Sequence, residues 1–251
     1  MIRSYLERGL KSGGVAGLAF GLFVAVVGNP LVGYVEGLGH SAGDAGHGEA
    51  ATAAGHVVSA TVTNAVSVGG SVLWGLFLGA VVFGVVYYFL EPSIPGEGAT
   101  KSYLLAGAGF VAVSGAPWLV LPPHPAGVGS LSPVGDRLVW YVGMIAAGAL
   151  ACVLAGYVYN CARASDAPRS VAAVMALAPF TLLAALALLA PSMSATGDVP
   201  ASMVAAYRGF VVFGQAGLWF VLASTHAWLG TREQSRASVE QSAEEAASFA
   251  D

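Results

Sequence analysis

Three of the chain's five histidines, His40, His47 and His56, fall within "GHSAGDAGHGEAATAAGH", residues 39–56, with Asp44 and Glu49 between them. Imidazole and carboxylate together suit borderline divalent cations such as cobalt, nickel or zinc, whereas copper(I) calls for thiolate or thioether ligands. The segment contains no Cys or Met. Glycines at 39, 43, 46 and 48 argue against a rigid preformed site. Weak, transient contact suits delivery, because a tight site would trap the ion. The bland alternative is a solvated loop whose histidines are incidental.

What holds this segment in place follows from composition. The chain has 251 residues, 56% hydrophobic and 10% charged, where a soluble domain carries about 25% charged residues. Too little polar surface remains to coat a water-facing globule, so lipid is the expected solvent. Apolar runs long enough to cross about 30 Å of hydrocarbon occur six times, near 14–34, 63–90, 102–121, 138–160, 170–190 and 202–229. The expected fold class is therefore all-α: a polytopic membrane protein with a bundle of about six transmembrane helices, residues 1–230 forming one membrane domain. Residues 231–251 form a tail with five acids against Arg232 and Arg236, read as a solvated helix. The opening "MIRSYLERGLKSGG" is basic, but the apolar run behind it is too long for a signal peptide. It is kept as the first span. Cys152 and Cys161, nine residues apart on one span, face opposite sides of a helix and read as packing residues. Nothing in the sequence suggests nucleic acid as a partner.

Orientation follows from the basic residues. With the N-terminus in the cytoplasm, Arg3, Arg8, Lys11, Lys101, Arg163, Arg169, Arg232 and Arg236 all lie on the cytoplasmic side, against only Arg137 and Arg208 outside. Both termini of a cell-membrane, multi-pass protein are thus expected in the cytoplasm. The same arrangement puts His40, His47 and His56 in the first outer loop and His124 in the second, "LPPHPAGVGSLSPVGDR". His226 alone lies near the cytoplasmic end of a span.

Within the spans, Gly13, Gly17 and Gly21 form a tandem GxxxG, and Gly75 and Gly79 repeat the spacing in the second span. Small residues at this interval let another helix backbone approach closely. Packing inside the bundle is favoured over an interface with a partner helix. Polar groups at membrane depth cost enough to invite a functional reading. The candidates for an ion path are Asn29 before Pro30, Ser114, Gln215 and His226, while Pro117 should kink the third span. Asn29-Pro30 could free a backbone carbonyl for an ion or merely end the helix. Motifs absent from the sequence include G-x-x-x-x-G-K-[ST], H-E-x-x-H and G-x-S-x-G, so no enzyme is expected.

The stretch "GLAFGLFVAVVGNPLVGYVEG", followed by the histidine-bearing loop and later by "LPPHPAGVG", resembles the CbtA-type cobalt transporter subunits over roughly residues 1–230. The resemblance implies a membrane protein for cobalt uptake that supplies cobalamin synthesis, with a small single-span partner of the CbtB type. It matches His40, His47 and His56 to the family's histidine-bearing loop, and Asn29 and Pro30 to its first-span ending.

The physics permits such uptake without an ATPase. A divalent cation moving inward gains about 4.6 kcal/mol per 100 mV of membrane potential, enough for about three decades of accumulation. The expected metal contacts are His40, Asp44, His47, Glu49 and His56. The resemblance implies Co2+ as the ion, carried as cargo rather than held as a tightly bound cofactor. The rival expectation is a non-transporting assembly subunit that packs partner helices through its glycine faces. Association with further copies of the chain is left open.

Overall fold

In hydrocarbon no water can satisfy a backbone N–H or C=O, so each apolar run closes its hydrogen bonds on itself as a helix. The computed structural model describes residues 2–34, 60–125, 129–130, 133–191, 195–196 and 200–248. Among the described residues six helices are long and apolar enough to cross a membrane: α1 (Ile2–Tyr34), α2 (Thr61–Leu90), α3 (Ala99–Val120), α4 (Val134–Ala164), α5 (Arg169–Leu189) and α6 (Ala201–Ser248). This is an all-α polytopic membrane protein. Contacts between the first turns of α1 and the last membrane turns of α6 put both termini at one end of the bundle.

Local chemistry sets the helix ends. Pro133 and Pro168 precede α4 and α5 in extended conformation, φ −54° and −55°, where a missing N–H costs nothing. α4 closes with Asp166 in the left-handed region, φ 60°. Its N–H bonds to the Arg163 carbonyl while that of Ala167 reaches Ala162, a Schellman closure that satisfies carbonyls of the last turn. Two helices outrun the apolar windows that announce them. α1 starts at Ile2 rather than near residue 14, and α6 continues to Ser248 rather than stopping near 229. Hydropathy marks only the lipid-facing part, whereas Ala, Glu, Gln, Arg and Lys propagate a helix into water.

Three prolines interrupt the regular winding. Val24–Gly28 before Pro30 and Val111–Gly115 before Pro117 are π turns, and Ala178–Phe180 around Pro179 is a 3₁₀ turn. A proline cannot donate to the carbonyl behind it and collides with it, and a wider turn relieves the collision. The Ala116 N–H bonds back to Val111 and Pro117 has none to offer. The Ala112 carbonyl therefore loses both its α-helical and its π-helical donor. It faces Gly148 of α4, 3.5 Å from the position a Cβ would take there. Ala25 stands in the same position before Pro30, because the Asn29 N–H bonds to Val24.

Two apolar cores result among the described residues. The first joins α1, α2, α6 and the first half of α3 through Ala16, Leu78, Phe83, Leu105, Leu218 and Leu222. The second joins the remainder of α3 to α4 and α5 through Ala116, Val120, Met144, Ala151 and Leu183. The α4–α5 hairpin is the less enclosed part: 11% of the apolar window of α5 is buried, against 39% for α3. At the end away from the termini, Gly129–Ser130 pairs antiparallel with Ala195–Thr196, tying the α3–α4 connection to the α5–α6 connection.

The closest helix contact is a seam of glycines between α1 and α2. A Cβ at Gly17 would lie 2.5 Å from the Ser71 carbonyl oxygen, and one at Gly21 would lie 2.8 Å from the Val68 Cα. Gly13 with Gly75, and Gly9 with Gly79, approach more closely still, carbonyl against the bare Cα face. Only hydrogen fits there, and the backbones themselves are the packing surface.

Candidate functional site

Among the described residues, two polar clusters lie at opposite ends of the bundle. The larger, at the termini end, is built from four helices. α1 contributes Tyr5 and Arg8, α2 Phe83 and Tyr87 with Glu91 just past its end, α3 Ser102, and α6 His226, Gly230 and Glu233. His226, Gly230 and Glu233, spaced four and three apart, share one face of α6.

His226 is 1% exposed, and Ser102 beside it 2%. Arg8 Nε lies 2.9 Å from His226 Nε2. A guanidinium can only donate, so Nε2 is the acceptor and the ring's proton sits on Nδ1. That N–H donates to Ser102 Oγ, 2.9 Å away. The imidazole is thereby held neutral in a single tautomer, with Phe83 and Tyr87 packed around it at ring separations of 5.0 and 4.7 Å.

Arg8 is seated as closely as its partner. Its Cζ lies 5.1 Å from the Tyr5 ring centre and 5.6 Å from that of Tyr87, within cation–π range. Nη1 is 3.7 Å from a Glu233 carboxylate oxygen. Gly230 leaves the room: a Cβ there would fall 2.8 Å from Nη1. Around this seat, the Tyr5 hydroxyl donates to Glu91 at 2.5 Å, and Lys101 Nζ donates to the Glu91 backbone carbonyl at 2.8 Å.

The smaller cluster lies where α1 and α2 approach the 35–59 connection. Asn29 Nδ2 donates to Asn64 Oδ1 at 2.7 Å and to Ser67 Oγ at 3.2 Å. At the same end of the bundle Arg208 donates to the Pro123 carbonyl at 3.2 Å and to His124 Nε2 at 3.1 Å, pinning the α3–α4 connection to α6.

Of the residues singled out from sequence, His40, Asp44, His47, Glu49 and His56 lie outside the described residues. Asn29 and His226 fall in opposite clusters. Ser114 is buried in the π turn of α3, and Gln215 is half-buried on α6. Among the described residues neither bonds to Asn29 or His226. Gly13, Gly17, Gly21, Gly75 and Gly79 all line the α1–α2 seam. The sequence reading did not pick out Asn64, Ser67, Arg8, Ser102 or Tyr5 as site residues. Asn64 and Ser67 carry a signal, two polar groups three apart near the start of a helix that also bears Thr61, Thr63 and Ser71. Arg8 and Ser102 carry none, because their partner is 218 and 124 residues away in the chain.

Among the described residues no three His, Cys, Asp or Glu side chains come together closely enough to hold a metal ion. Cys152 and Cys161 are free thiols. The groove between α1 and α6, about 160 Å³, is lined by apolar residues such as Phe20, Phe23, Phe213 and Leu218.

Six apolar helices enclosing a few closely paired polar groups define a multi-pass helical membrane protein. The model of the CbtA family, described as a probable cobalt transporter subunit, matches residues 2–231, and the chain belongs to that family. No curated protein and no solved structure matches it.

Proposed function

We propose that this chain is the membrane subunit of a cobalt uptake system, in which the 39–56 segment captures the cation outside the cell and the bundle passes it inward down the membrane potential. The observation that carries the reading is the family match over residues 2–231, which takes in the membrane-crossing part of all six helices. His40, Asp44, His47, Glu49 and His56 supply imidazole and carboxylate donors to the arriving ion. The segment that bears them joins α1 to α2, so the Asn29–Asn64–Ser67 group stands at its foot. His226 stands at the far end, with Ser114 and Gln215 proposed along the way.

Phe83, Leu218 and Leu222 fill the core of the four-helix part. Passage therefore requires the helices to change their packing rather than a standing pore. Both termini are proposed to be cytoplasmic, and a single-span partner of the CbtB type is proposed to complete the system. The rival reading, an assembly subunit holding partner helices through Gly13, Gly17, Gly21, Gly75 and Gly79, finds less support, because those glycines face one another within the chain.

The test is radiotracer cobalt uptake into membrane vesicles, comparing the wild type with His40→Ala/His47→Ala/His56→Ala. Uptake should fall several-fold in the triple variant and should fade in the wild type below about pH 6, as imidazoles with reference pKa near 6.5 take up protons. Uptake indifferent to the three histidines would remove the capture step, and uptake indifferent to the whole protein would remove transport.

A further inference from the structure

The seat of Arg8 has the makings of a cation site that the chain fills with its own guanidinium. Two phenol rings, an unprotonated imidazole nitrogen and a carboxylate surround the charge, and Gly230 clears the space for it. His226 is also arranged as metal-bound histidines are. A ligating imidazole nearly always donates its other ring N–H to an oxygen partner, which fixes the tautomer and aims the lone pair. Ser102 provides that oxygen at Nδ1, leaving Nε2 as a lone pair with a fixed direction. An apolar wall of Phe83 and Tyr87 keeps the ring from turning.

We infer that His226 Nε2 is the ligand of a hand-over site for a borderline divalent cation at the termini end of the bundle, with Arg8 as its resting occupant. The inference rests on the cation-handling reading above and adds the place where the ion leaves the membrane domain. The incoming cation displaces the guanidinium, the imidazole lone pair passes from an N–H donor to the metal, and Glu233 and water complete the shell. No proton moves and no covalent bond is broken; the hydrogen bond of Arg8 to His226 and its pairing with Glu233 are given up. One cation replaces another, so the buried Nε2 lone pair is never left without a partner. When Arg8 returns, the ion is expelled, which gives release without a tight site.

The experiment counts cobalt bound to the purified full-length chain in detergent, in the His40→Ala/His47→Ala/His56→Ala background so that the loop contributes nothing. Equilibrium dialysis with radiocobalt gives stoichiometry, and the visible absorption of bound Co2+ reports imidazole ligation. Arg8→Ala should add one cobalt per chain, bound about tenfold more tightly than by the parent. Adding His226→Ala to Arg8→Ala should abolish that gain and its spectrum. Because deleting Arg8 could unfold the protein, Gly230→Ala provides a second route: its methyl would lie 2.8 Å from Nη1 and push the flexible guanidinium aside without removing it. The same gain, smaller in size, is expected. If folded Arg8→Ala and Gly230→Ala both bind no more cobalt than the parent, or if the gain survives His226→Ala, the site does not exist. The measurement needs no transport. Failed vesicle uptake beside intact binding would sink the uptake reading alone.

Discussion

Arg8 fixes which nitrogen of His226 carries the proton and Ser102 accepts from that nitrogen, a choice legible only in three dimensions. Replacing Ser102 by Ala takes away the hydroxyl that the buried Nδ1–H donates to, a loss of about 1 kcal/mol. Thermal unfolding of Ser102→Ala in detergent should drop accordingly, and Ser102→Thr, which restores a hydroxyl, should recover part of it. A residue can be suspected from its depth in a span, as His226 and Asn29 were, because a polar group in hydrocarbon must have a reason to be there. Its partner cannot be suspected the same way. Arg8 looks like one more basic residue near a membrane boundary, and nothing along the chain says that its guanidinium turns inward to an imidazole 218 positions later. The loop donors are the opposite case: conspicuous as residue types, yet outside the described residues.

At the scale of the helix, spacing spoke more clearly. The tandem GxxxG of α1 and its counterpart in α2 announce a close backbone approach, and the two sets meet each other. Gly75→Ala and Gly79→Ala should each force α1 and α2 apart and cost on the order of 1–3 kcal/mol or more, as overpacked cores do. Gly143→Ala makes the contrast. Nothing lies within 4 Å of a Cβ at that position on α4, so the change should be neutral or stabilising by up to about 1 kcal/mol through helix propensity. Thermal unfolding of the three variants side by side separates seam from open surface. Span existence was legible because about twenty apolar residues in a row have few other fates. Span ends were not: α1 and α6 keep winding where the chain turns polar, which hydropathy cannot register. Nor does composition say how a proline will be absorbed. Pro30 and Pro117 are accommodated by π turns and Pro179 by a tight one.

For the molecule as a whole, the eight-to-two distribution of Lys and Arg predicts an orientation that can be read directly in cells. In a background of Cys152→Ala and Cys161→Ser, a membrane-impermeant maleimide should label Asp44→Cys on intact cells and Ser242→Cys only after permeabilisation. The reverse pattern would put the histidine segment in the cytoplasm and end the capture scheme. Among the described residues, the hairpin of α4 and α5 shares an apolar core only with the second half of α3. Its amides should therefore exchange hydrogen earlier than those of α1, α2 and α6, since few buried contacts resist local opening. The two bodies are joined along α3, and the join coincides with Val111–Gly115, where the winding is already widened and the Ala112 carbonyl has shed both helical donors. The Ala112 carbonyl has no helical bond left to lose when the rod bends there. Bending of α3, where it occurs, is expected first at this turn, tilting the α4–α5 hairpin against the glycine-stitched block.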